Sequence, residues 1–506
     1  MRRTIWWVLC GLALAWLCIV AWKWPYTRSA VVTGLSHNMG RPVQIGAFHP
    51  TFFPLGFVAY DVRFIKTDPH HGPSTVTIHK AVVVASHLDT FLNRKRLKRI
   101  LIVGLHVTIP SGPSTSEGKR SSSRHGPPKF TFIGQIDMQD SSIEFPSSDT
   151  DTSPFKVMVK AATLDNVNLH SPSAFHVELV TNEPQGVIRS TGQLGPWNWD
   201  DAGRTLLTGS FTFNQADLST VGDVKGLLNA QGKFNGLLGH VICNGRIEVP
   251  QFGTTNGSHV LPLSTTFQAT VNGLNGDTVL NDVESRLNRT IIKVQGEIKG
   301  DGQQPGKTAR LHLSVDEGRV DDLLLLFTRS EQPSMTGTIN LQADVDLPPG
   351  DPNFLKKLEL RGDFGMSDSR FTKGSTQAPI NHLSESAEGM SKSEEKQDPN
   401  TVLSDIKGHV SAHNGIASLS HVSFIIPGAD ANMSGTYNLL DKAVHLEGTL
   451  RTTGEISDTT SGLKAGFLKL LSPFLKKHSV TVVPFKITGT AQHSTLSLDL
   501  ARKKRF

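Results

Sequence analysis

The chain has 506 residues, of which 37% are hydrophobic and 19% charged, so there is enough apolar material for large folded domains. Its net charge of +6 is spread along the sequence, and it has 3 Tyr against 25 Phe. Nucleic-acid-binding proteins normally concentrate basic residues in one stripe and often stack bases on aromatic rings. The composition therefore argues against nucleic acid as a partner.

The first segment with a clear character is Thr4–Trp22, which contains no charged residue. At about 1.5 Å per helical residue, a segment of this length crosses roughly one bilayer core. Arg2 and Arg3 precede it, so the positive-inside rule places the N-terminus in the cytoplasm and the rest of the chain outside. A cleaved signal peptide is the alternative, but its apolar region is usually shorter, at about 7–15 residues. We predict an uncleaved single-pass anchor over 1–27.

The cysteines limit how the exported part can be stabilised. Cys10 and Cys18 lie inside the predicted anchor, and Cys243 is the only other cysteine of the sequence. No disulfide can therefore form within the exported part, which must be held together by hydrogen bonding and apolar burial.

The segment after the anchor begins with a predicted helix, because Val31, Leu35 and Met39 recur at helical spacing and Gly40 is a suitable C-terminal stop. Short strands follow. The stretch "HLDTFLNRKRLKRI" then predicts a second short helix with a basic end. Two interpretations of this basic end remain open, a solvated helix terminus or a contact with anionic lipid headgroups. The basic residues are Arg94, Lys95, Arg96, Lys98 and Arg99.

Most of the remaining chain reads as β-strands. In "TGTINLQADVDL" five apolar residues, from Ile339 to Leu347, alternate with polar ones, which is typical of a strand with one buried face. Strands with a central Gly, such as "LTGSFTF" and "MSGTYNLLDKAVHLEGTL", recur throughout. Since helices rarely separate them, consecutive hairpins are expected. Gly permits bending within strands. We predict a mainly β fold with one long antiparallel sheet that curls on itself.

A few segments depart from this pattern. Two polar stretches, 111–129 and 374–400, are predicted to be disordered. "RVDDLLLLFTR" predicts a short helix. "GLKAGFLKLLSPFLKKH" predicts a longer helical region, which would either pack over the sheet end or lie on a membrane surface.

Motifs of catalysis and cofactor binding are missing from the sequence. "GDGQQPGKT" lacks the glycine spacing of a phosphate-binding loop and leads into a strand. His409 and His413 would sit about 13 Å apart on a strand, which is too far for one metal ion. The sequence also has no HExxH, GxSxG or CxxC motif. We expect neither an enzyme nor a bound cofactor.

Two stretches carry a family resemblance. The anchor followed by "LSHNMGRPVQIGAFHPTFFPLGFVAYDVRFI" is similar to the N-terminal motif of AsmA-like proteins, of the AsmA/TamB superfamily. "GADANMSGTYNLLDKAVHLEGTL" and "LKLLSPFLKKHSVTVVPFKITGT" resemble the C-terminal domain of that family. The resemblance implies an inner-membrane protein of double-membraned bacteria with a periplasmic, apolar β-groove (a "β-taco"). It also implies a non-enzymatic role in phospholipid transport towards the outer membrane and in envelope integrity.

These observations lead to one principal hypothesis, a membrane-anchored protein that holds or moves phospholipid acyl chains in an apolar groove. Its partners would be membrane phospholipids, the inner membrane and other envelope proteins. The alternative is a structural envelope scaffold that binds proteins or peptidoglycan through its outer face. The candidate groove residues are Ile339, Leu341, Val345, Leu347, Val422, Phe424, Ile426, Val444, Leu446, Leu450, Ile487, Leu496 and Leu498.

The predicted organisation follows from the same features. It comprises an anchor over 1–27, an AsmA-like N-terminal region over 28–110, a linker over 111–129, a central β-groove over 130–373, an insert over 374–400 and an AsmA-like C-terminal region over 401–506.

Overall fold

The structure is a computed structural model. The residues that it describes are 26–39, 42–68, 72–92, 96–108, 132–145, 155–168, 170–198, 200–300, 306–333, 335–349, 353–372, 404–426, 429–452, 481–490 and 494–498. Residues 1–25 of the predicted anchor, the linker at 111–129, the insert at 374–400 and the predicted helical region at 462–478 therefore lie outside the described residues.

The described elements are mainly strands. The helices are α1 (Arg28–Met39), α2 (His87–Phe91), α3 (Val320–Leu325) and α4 (Phe354–Lys357), with single 3-10 turns at Ala202–Arg204 and Leu218–Thr220. The strands are β1 (Val43–Thr51), β2 (Gly56–Asp68), β3 (Gly72–Ala85), β4 (Arg96–Thr108), β5 (Phe132–Phe145), β6 (Phe155–Asn168), β7 (Ser173–Asn182), β8 (Gln185–Leu194), β9 (Leu206–Asp217), β10 (Val224–Lys225), β11 (Leu227–Leu237), β12 (His240–Thr254), β13 (Val260–Val271), β14 (Thr278–Leu287), β15 (Thr290–Lys299), β16 (Thr308–Arg319), β17 (Met335–Leu347), β18 (Glu359–Phe371), β19 (Ser404–His413), β20 (Ile416–Ile426), β21 (Ala429–Asn438), β22 (Ala443–Thr452), β23 (Thr481–Thr490) and β24 (Ser494–Leu498).

All 24 strands belong to one sheet that is not closed, which confirms the prediction of a mainly β fold with one large sheet. Neighbours in the sheet follow chain order, except that the short β10 pairs with β12 while β9 pairs with β11. The sheet continues through the predicted regions 28–110, 130–373 and 401–506.

The pairing is antiparallel except between β4 and β5, where the prediction of a purely antiparallel sheet is wrong. A parallel pair needs a connection of about a dozen residues or more, because the chain must return to the starting end of the sheet. The segment from Thr108 to Phe132 is long enough for this return. A two-residue hairpin turn would not be.

Two of the predicted helices are confirmed, and a third needs correction. The helix predicted after the anchor is α1, and the one predicted within "RVDDLLLLFTR" is α3. The helix predicted over "HLDTFLNRKRLKRI" ends early, because α2 stops at Phe91 and β4 begins at Arg96. Arg96, Lys98 and Arg99 therefore lie on a strand rather than on a helix, since β4 extends the sheet beside β3.

The described strands form one sheet, and the described residues contain no second sheet. The main contacts between elements join strands that are neighbours in the sheet, and helices add contacts of α1 with β1 and of α3 with β17. The best-formed cluster of buried residues lies where α1 packs: Val31, Val32 and Leu35 of the helix contact buried side chains of β1 and β2. Elsewhere the described sheet has no second sheet packed against it.

Candidate apolar binding face

One side of the sheet carries an unbroken row of uncharged residues. Residues that pair directly across neighbouring strands have their side chains on the same side of the sheet. Successive pairs can therefore be followed from β1 to β24, with one residue from every strand except the short β10. We call this row the central line; it consists of Phe48, Ala59, Ala81, Ile102, Met138, Ala162, Val177, Ser190, Phe211, Gly232, Gly245, Phe267, Val283, Val294, Leu313, Ala343, Gly362, Val410, Leu419, Gly435, Leu446, Ile487 and Leu496.

The side of the sheet that carries the central line is called the apolar face below. Within the line Ser190 is the only residue with a polar side chain, and its hydroxyl donates a hydrogen bond to the carbonyl of Ser210 at 2.9 Å. The line is thus free of charge across the whole described sheet.

The opposite side of the sheet carries polar side chains. They belong to residues that are adjacent in sequence to those of the central line, and these residues also pair directly across neighbouring strands, for example Glu178 with Arg189. We call this row the outer line; from β7 to β20 it consists of Glu178, Arg189, Thr212, Gln231, Arg246, Thr266, Glu284, Lys293, Ser314, Gln342, Asp363, His409 and Ser420. Every member is polar.

The predicted groove residues all fall on the apolar face. Their positions follow from their pairing with the central line or from alternation within the same strand. Val345 and Val422 are buried by their neighbours. The half-buried ones are Ile339, Leu341, Leu347, Phe424, Val444, Leu446 and Ile487. For Ile426, Leu450, Leu496 and Leu498 only the backbone pairing is described, and it assigns them to the same series.

Val422 shows why simple alternation would have misplaced some of these residues. Leu419 and Val422 are three positions apart, yet both pair with apolar-face residues of β21. The register shifts between them, and His421 adopts a left-handed backbone with φ of 50°. Such a bulge inserts one residue and restarts the alternation on the same face.

The apolar face begins much earlier in the chain than the predicted residues. Its strands β7 to β13 contribute a dense group of aromatic rings, which the same alternation signal in "LTGSFTF" could have revealed. The rings belong to Phe175, Phe211, Phe213, Phe234 and Phe267.

Glycines on the apolar face lie beneath these rings. For five described glycines that pair directly with a Phe of the neighbouring strand, a side-chain carbon on the glycine would lie within about 3 Å of the ring. An aromatic side chain that covers a cross-strand glycine compensates for the missing side chain. The pairs are Gly209 with Phe234, Gly232 with Phe211, Gly245 with Phe267, Gly408 with Phe364 and Gly448 with Phe485.

Phe175 and Phe234 show how far this covering extends. They are separated by three strand spacings, about 14 Å in a flat sheet. Gly192 and Gly209 occupy the same row between them. The two ring centroids are nevertheless only 6.4 Å apart and the rings are nearly parallel. The two rings therefore lie over the glycines, and together they form a continuous apolar surface close to the backbone of the sheet.

A polar cluster fixes α3 to the loop ends of the strands near the middle of the sheet. Asp322 is fully buried and accepts hydrogen bonds from the Asn288 side chain at 2.7 Å, the Arg289 backbone at 3.0 Å and the Thr290 hydroxyl at 3.1 Å. The guanidinium of Arg289 also bonds Asp321 and Asp322. With every acceptor direction occupied, this buried carboxylate holds α3 in place.

The other groups considered from the sequence show no catalytic arrangement. His409 lies 3.0 Å from Asp363 and His413 lies 3.6 Å from Glu359, so the two rings are parts of separate cross-strand pairs on the polar side. The described ranges contain no cluster of three or more possible metal ligands. Cys243 lies on the apolar face opposite Phe234, and burial raises the pKa of its thiol.

The predicted membrane-surface residues are only partly described. Arg94 and Lys95 lie outside the described residues. Arg99 is paired with Asp137 at 2.5 Å, and Arg96 lies over the ring of Phe132 at 5.6 Å from its centroid, while Lys98 is exposed. None of the described helices is both long enough and apolar enough to cross a bilayer, and the predicted anchor lies outside this part.

Comparison of the chain with protein-family models, with curated proteins and with solved structures gave no match.

Proposed function

We propose that this protein is a membrane-anchored lipid-handling protein of the cell envelope, whose apolar face holds or passes phospholipid acyl chains. The observation that carries the proposal is the central line, an uncharged row that crosses all the main strands of one open sheet. A soluble protein normally buries such a face against a second layer. Among the described residues there is no second sheet, and the helix contacts with the sheet are mainly those of α1 and α3.

Exposure supports a sheet that curls towards its apolar face. In a flat single layer both sides would be open to water to a similar extent. Residues of the central line are half-buried or buried wherever their side chains are described, whereas eight of the thirteen outer-line residues, among them Gln231, Arg246 and Gln342, are exposed and the other five are half-buried. Curvature crowds the side chains of the concave side, and we therefore infer that the apolar face lines a groove.

The energetics of such a groove suit a lipid guest. Burial of one methylene group stabilises by about 0.8 kcal/mol. An acyl chain of about 16 carbons would therefore gain on the order of 10 kcal/mol in the groove, comparable with what it loses on leaving a bilayer. The polar headgroup would stay in water outside the groove. The low surface formed by the Phe and Gly pairs leaves room for the chain.

The proposal places the chain after the anchor in the periplasm, with the anchor in the inner membrane and the N-terminus in the cytoplasm. This placement rests on the sequence of residues 1–27 and on the AsmA-like resemblance. Its predicted partners are the phospholipids of that membrane and other envelope proteins, and it requires no catalytic group.

Photo-crosslinking on adjacent residues tests the proposal in the full-length protein. Benzoylphenylalanine replaces Phe211 on the apolar face in one variant and Thr212 on the polar face in a matched control. After illumination in the native membrane, mass spectrometry of the purified protein should find phospholipid adducts with the Phe211 variant only. Equal adduct yields at both positions, or none at either, would contradict the proposal.

A charge on the apolar face separates the proposal from the scaffold alternative. If the face receives lipid, Leu341→Asp should leave the protein folded but abolish co-purified phospholipid. If the protein is a scaffold whose apolar face is filled by its own side chains, the same change should unfold it. Circular dichroism and lipid extraction of one preparation decide between the two outcomes.

A further inference from the structure

Four large apolar side chains form an exposed patch at the N-terminal end of the sheet. Phe52 and Phe53 belong to the loop between β1 and β2, and Leu88 and Leu92 belong to α2 and its C-cap. Their exposed fractions are 50%, 81%, 66% and 51%. These four residues are called the Phe–Leu patch. Single exposed apolar residues are ordinary on a protein surface, but a group on two adjoining elements marks an interaction site.

The two elements of the patch are fixed against each other. The ring of Phe53 stacks on the ring of His87 with centroids 5.0 Å apart. The Nε2 atom of His87 lies 2.8 Å from the carbonyl oxygen of Phe52, and the backbone N–H of Ala85 donates to the carbonyl of Leu55 at 2.7 Å. The loop therefore presents Phe53 from a defined position beside α2.

The residue Tyr26, just after the predicted membrane-crossing segment, packs beside the elements that carry the Phe–Leu patch. Tyr26 contacts the ring of Phe57 with centroids 5.9 Å apart, and its hydroxyl hydrogen-bonds with Thr90 of α2. Burial raises the pKa of Tyr26, as expected for a hydroxyl enclosed by these elements. The uncharged segment of the predicted anchor, Thr4–Trp22, ends four residues before Tyr26, and four residues span at most about 14 Å. The Phe–Leu patch therefore lies within reach of the membrane surface.

Basic residues border the patch on the side of β4. Arg96 and Lys98 follow Leu92 closely in the chain and are exposed, whereas the charge of Arg99 is compensated by Asp137. Apolar side chains beside lysines and arginines are typical of surfaces that lie in the interface of an anionic bilayer.

We propose that the Phe–Leu patch inserts into the headgroup region of the membrane that holds the anchor, with Arg96 and Lys98 against anionic headgroups. The occupant is the lipid bilayer itself, because the attachment through Tyr26 fixes the patch close to the end of a membrane-crossing segment. The insertion would set how the first strands of the sheet stand relative to the bilayer. The proposal depends on the anchor but not on lipid binding by the apolar face.

Site-directed spin labelling measures this insertion in the full chain. The native cysteines are replaced (Cys10→Ser, Cys18→Ser and Cys243→Ser), and a single label is placed at Phe53→Cys or at Leu88→Cys. The matched control is Leu274→Cys in the loop between β13 and β14, where the side chain is 55% exposed. The labelled protein is reconstituted into vesicles of phosphatidylethanolamine and phosphatidylglycerol.

Labels at Phe53 and Leu88 should collide several-fold more often with oxygen, which concentrates in lipid, and several-fold less often with a water-soluble nickel chelate than the Leu274 label. The double change Arg96→Glu with Lys98→Glu should reduce this difference in anionic vesicles. Equal accessibility at Phe53 and Leu274 would overturn the proposal. Protection of Phe53 from nickel without access to oxygen would also overturn it, because that result indicates a protein contact.

Discussion

The apolar face is the same surface at the two ends of the sheet, but among the described residues a helix covers it at only one of them. Over β1 and β2 the side chains of Val43, Ile45 and Val62 are buried under α1. Over β21 to β23 residues of the same chemical type, such as Leu446 and Ile487, remain half-buried. The difference shows that composition alone does not determine what covers the face. A helix of the chain covers one end, and we propose that lipid covers the other.

The largest effect on stability is expected from a substitution at the covered end of the sheet, compared with the same type of substitution at the open end. Val62→Asp places a carboxylate in the packed cluster under α1, and an unpaired buried charge should lower the free energy of unfolding by about 4 kcal/mol. Leu446→Asp places the same group on the half-buried face and should lower it by about 1 kcal/mol or less. Denaturant unfolding of the two full-length variants in detergent measures both values. Equal losses would mean that the face is a filled core at both ends.

A second substitution tests the polar attachment between these two ends. Asp322→Ala removes a buried acceptor and leaves Asn288, Arg289 and Thr290 without their partner. Breaking a buried charged network in this way should lower the free energy of unfolding by about 3 kcal/mol. Asp344→Ala is the control, because its pair with His312 at 2.8 Å is largely exposed and should contribute less than about 1 kcal/mol. A small effect at Asp322 would show that α3 is held mainly by apolar contacts.

A third substitution tests the Phe and Gly pairs of the open part. A side-chain carbon on Gly408 would lie 2.8 Å from Val422 and 3.0 Å from the ring of Phe364, and both neighbours are side chains that can shift. Gly408→Ala should therefore lower the free energy of unfolding by about 1–2 kcal/mol through overpacking.

The partner substitution makes this test specific. In a Phe364→Leu background the ring is gone, and Gly408→Ala should lower the free energy of unfolding by less than it does in the native protein. A double-mutant cycle gives this interaction free energy directly. If the two effects simply add, the ring does not rest on the glycine.

Local alternation was enough to predict much of this architecture. The alternation from Ile339 to Leu347 identified a one-sided strand, and the structure assigns these residues to one face. Features that depend on pairing between distant segments could not be predicted. The parallel pair of β4 and β5 depends on the route of the chain between them, and each Phe and Gly pair depends on register across strands. The basic run was predicted to end a helix, but part of it forms β4, because pairing with β3 stabilises the extended conformation more than local helical propensity stabilises a helix.

The smallest expected effect concerns the polar side of the open part. Hydrogen bonds from Lys160 and Arg189 hold the pKa of Glu178 below its ordinary value. Because the folded pKa is lowered, the stabilisation from this carboxylate is complete above its ordinary pKa of 4.5 and disappears as the pH falls through the lowered value. Glu178→Gln removes the titrating group, so the mutant should lose slightly less stability than the native protein between neutral pH and acid.

Cross-strand charges of this kind are absent from the cluster under α1, which is formed by apolar side chains. Acid should therefore loosen the strands around Glu178 before it affects the cluster of β1 and β2, because the apolar burial that stabilises this cluster does not titrate. Hydrogen exchange of the native protein at neutral pH and near pH 4, corrected for the intrinsic exchange rates, follows both regions in one sample. Simultaneous loosening of β1–β2 and β6–β8 would show that the covered end and the open part unfold as one unit.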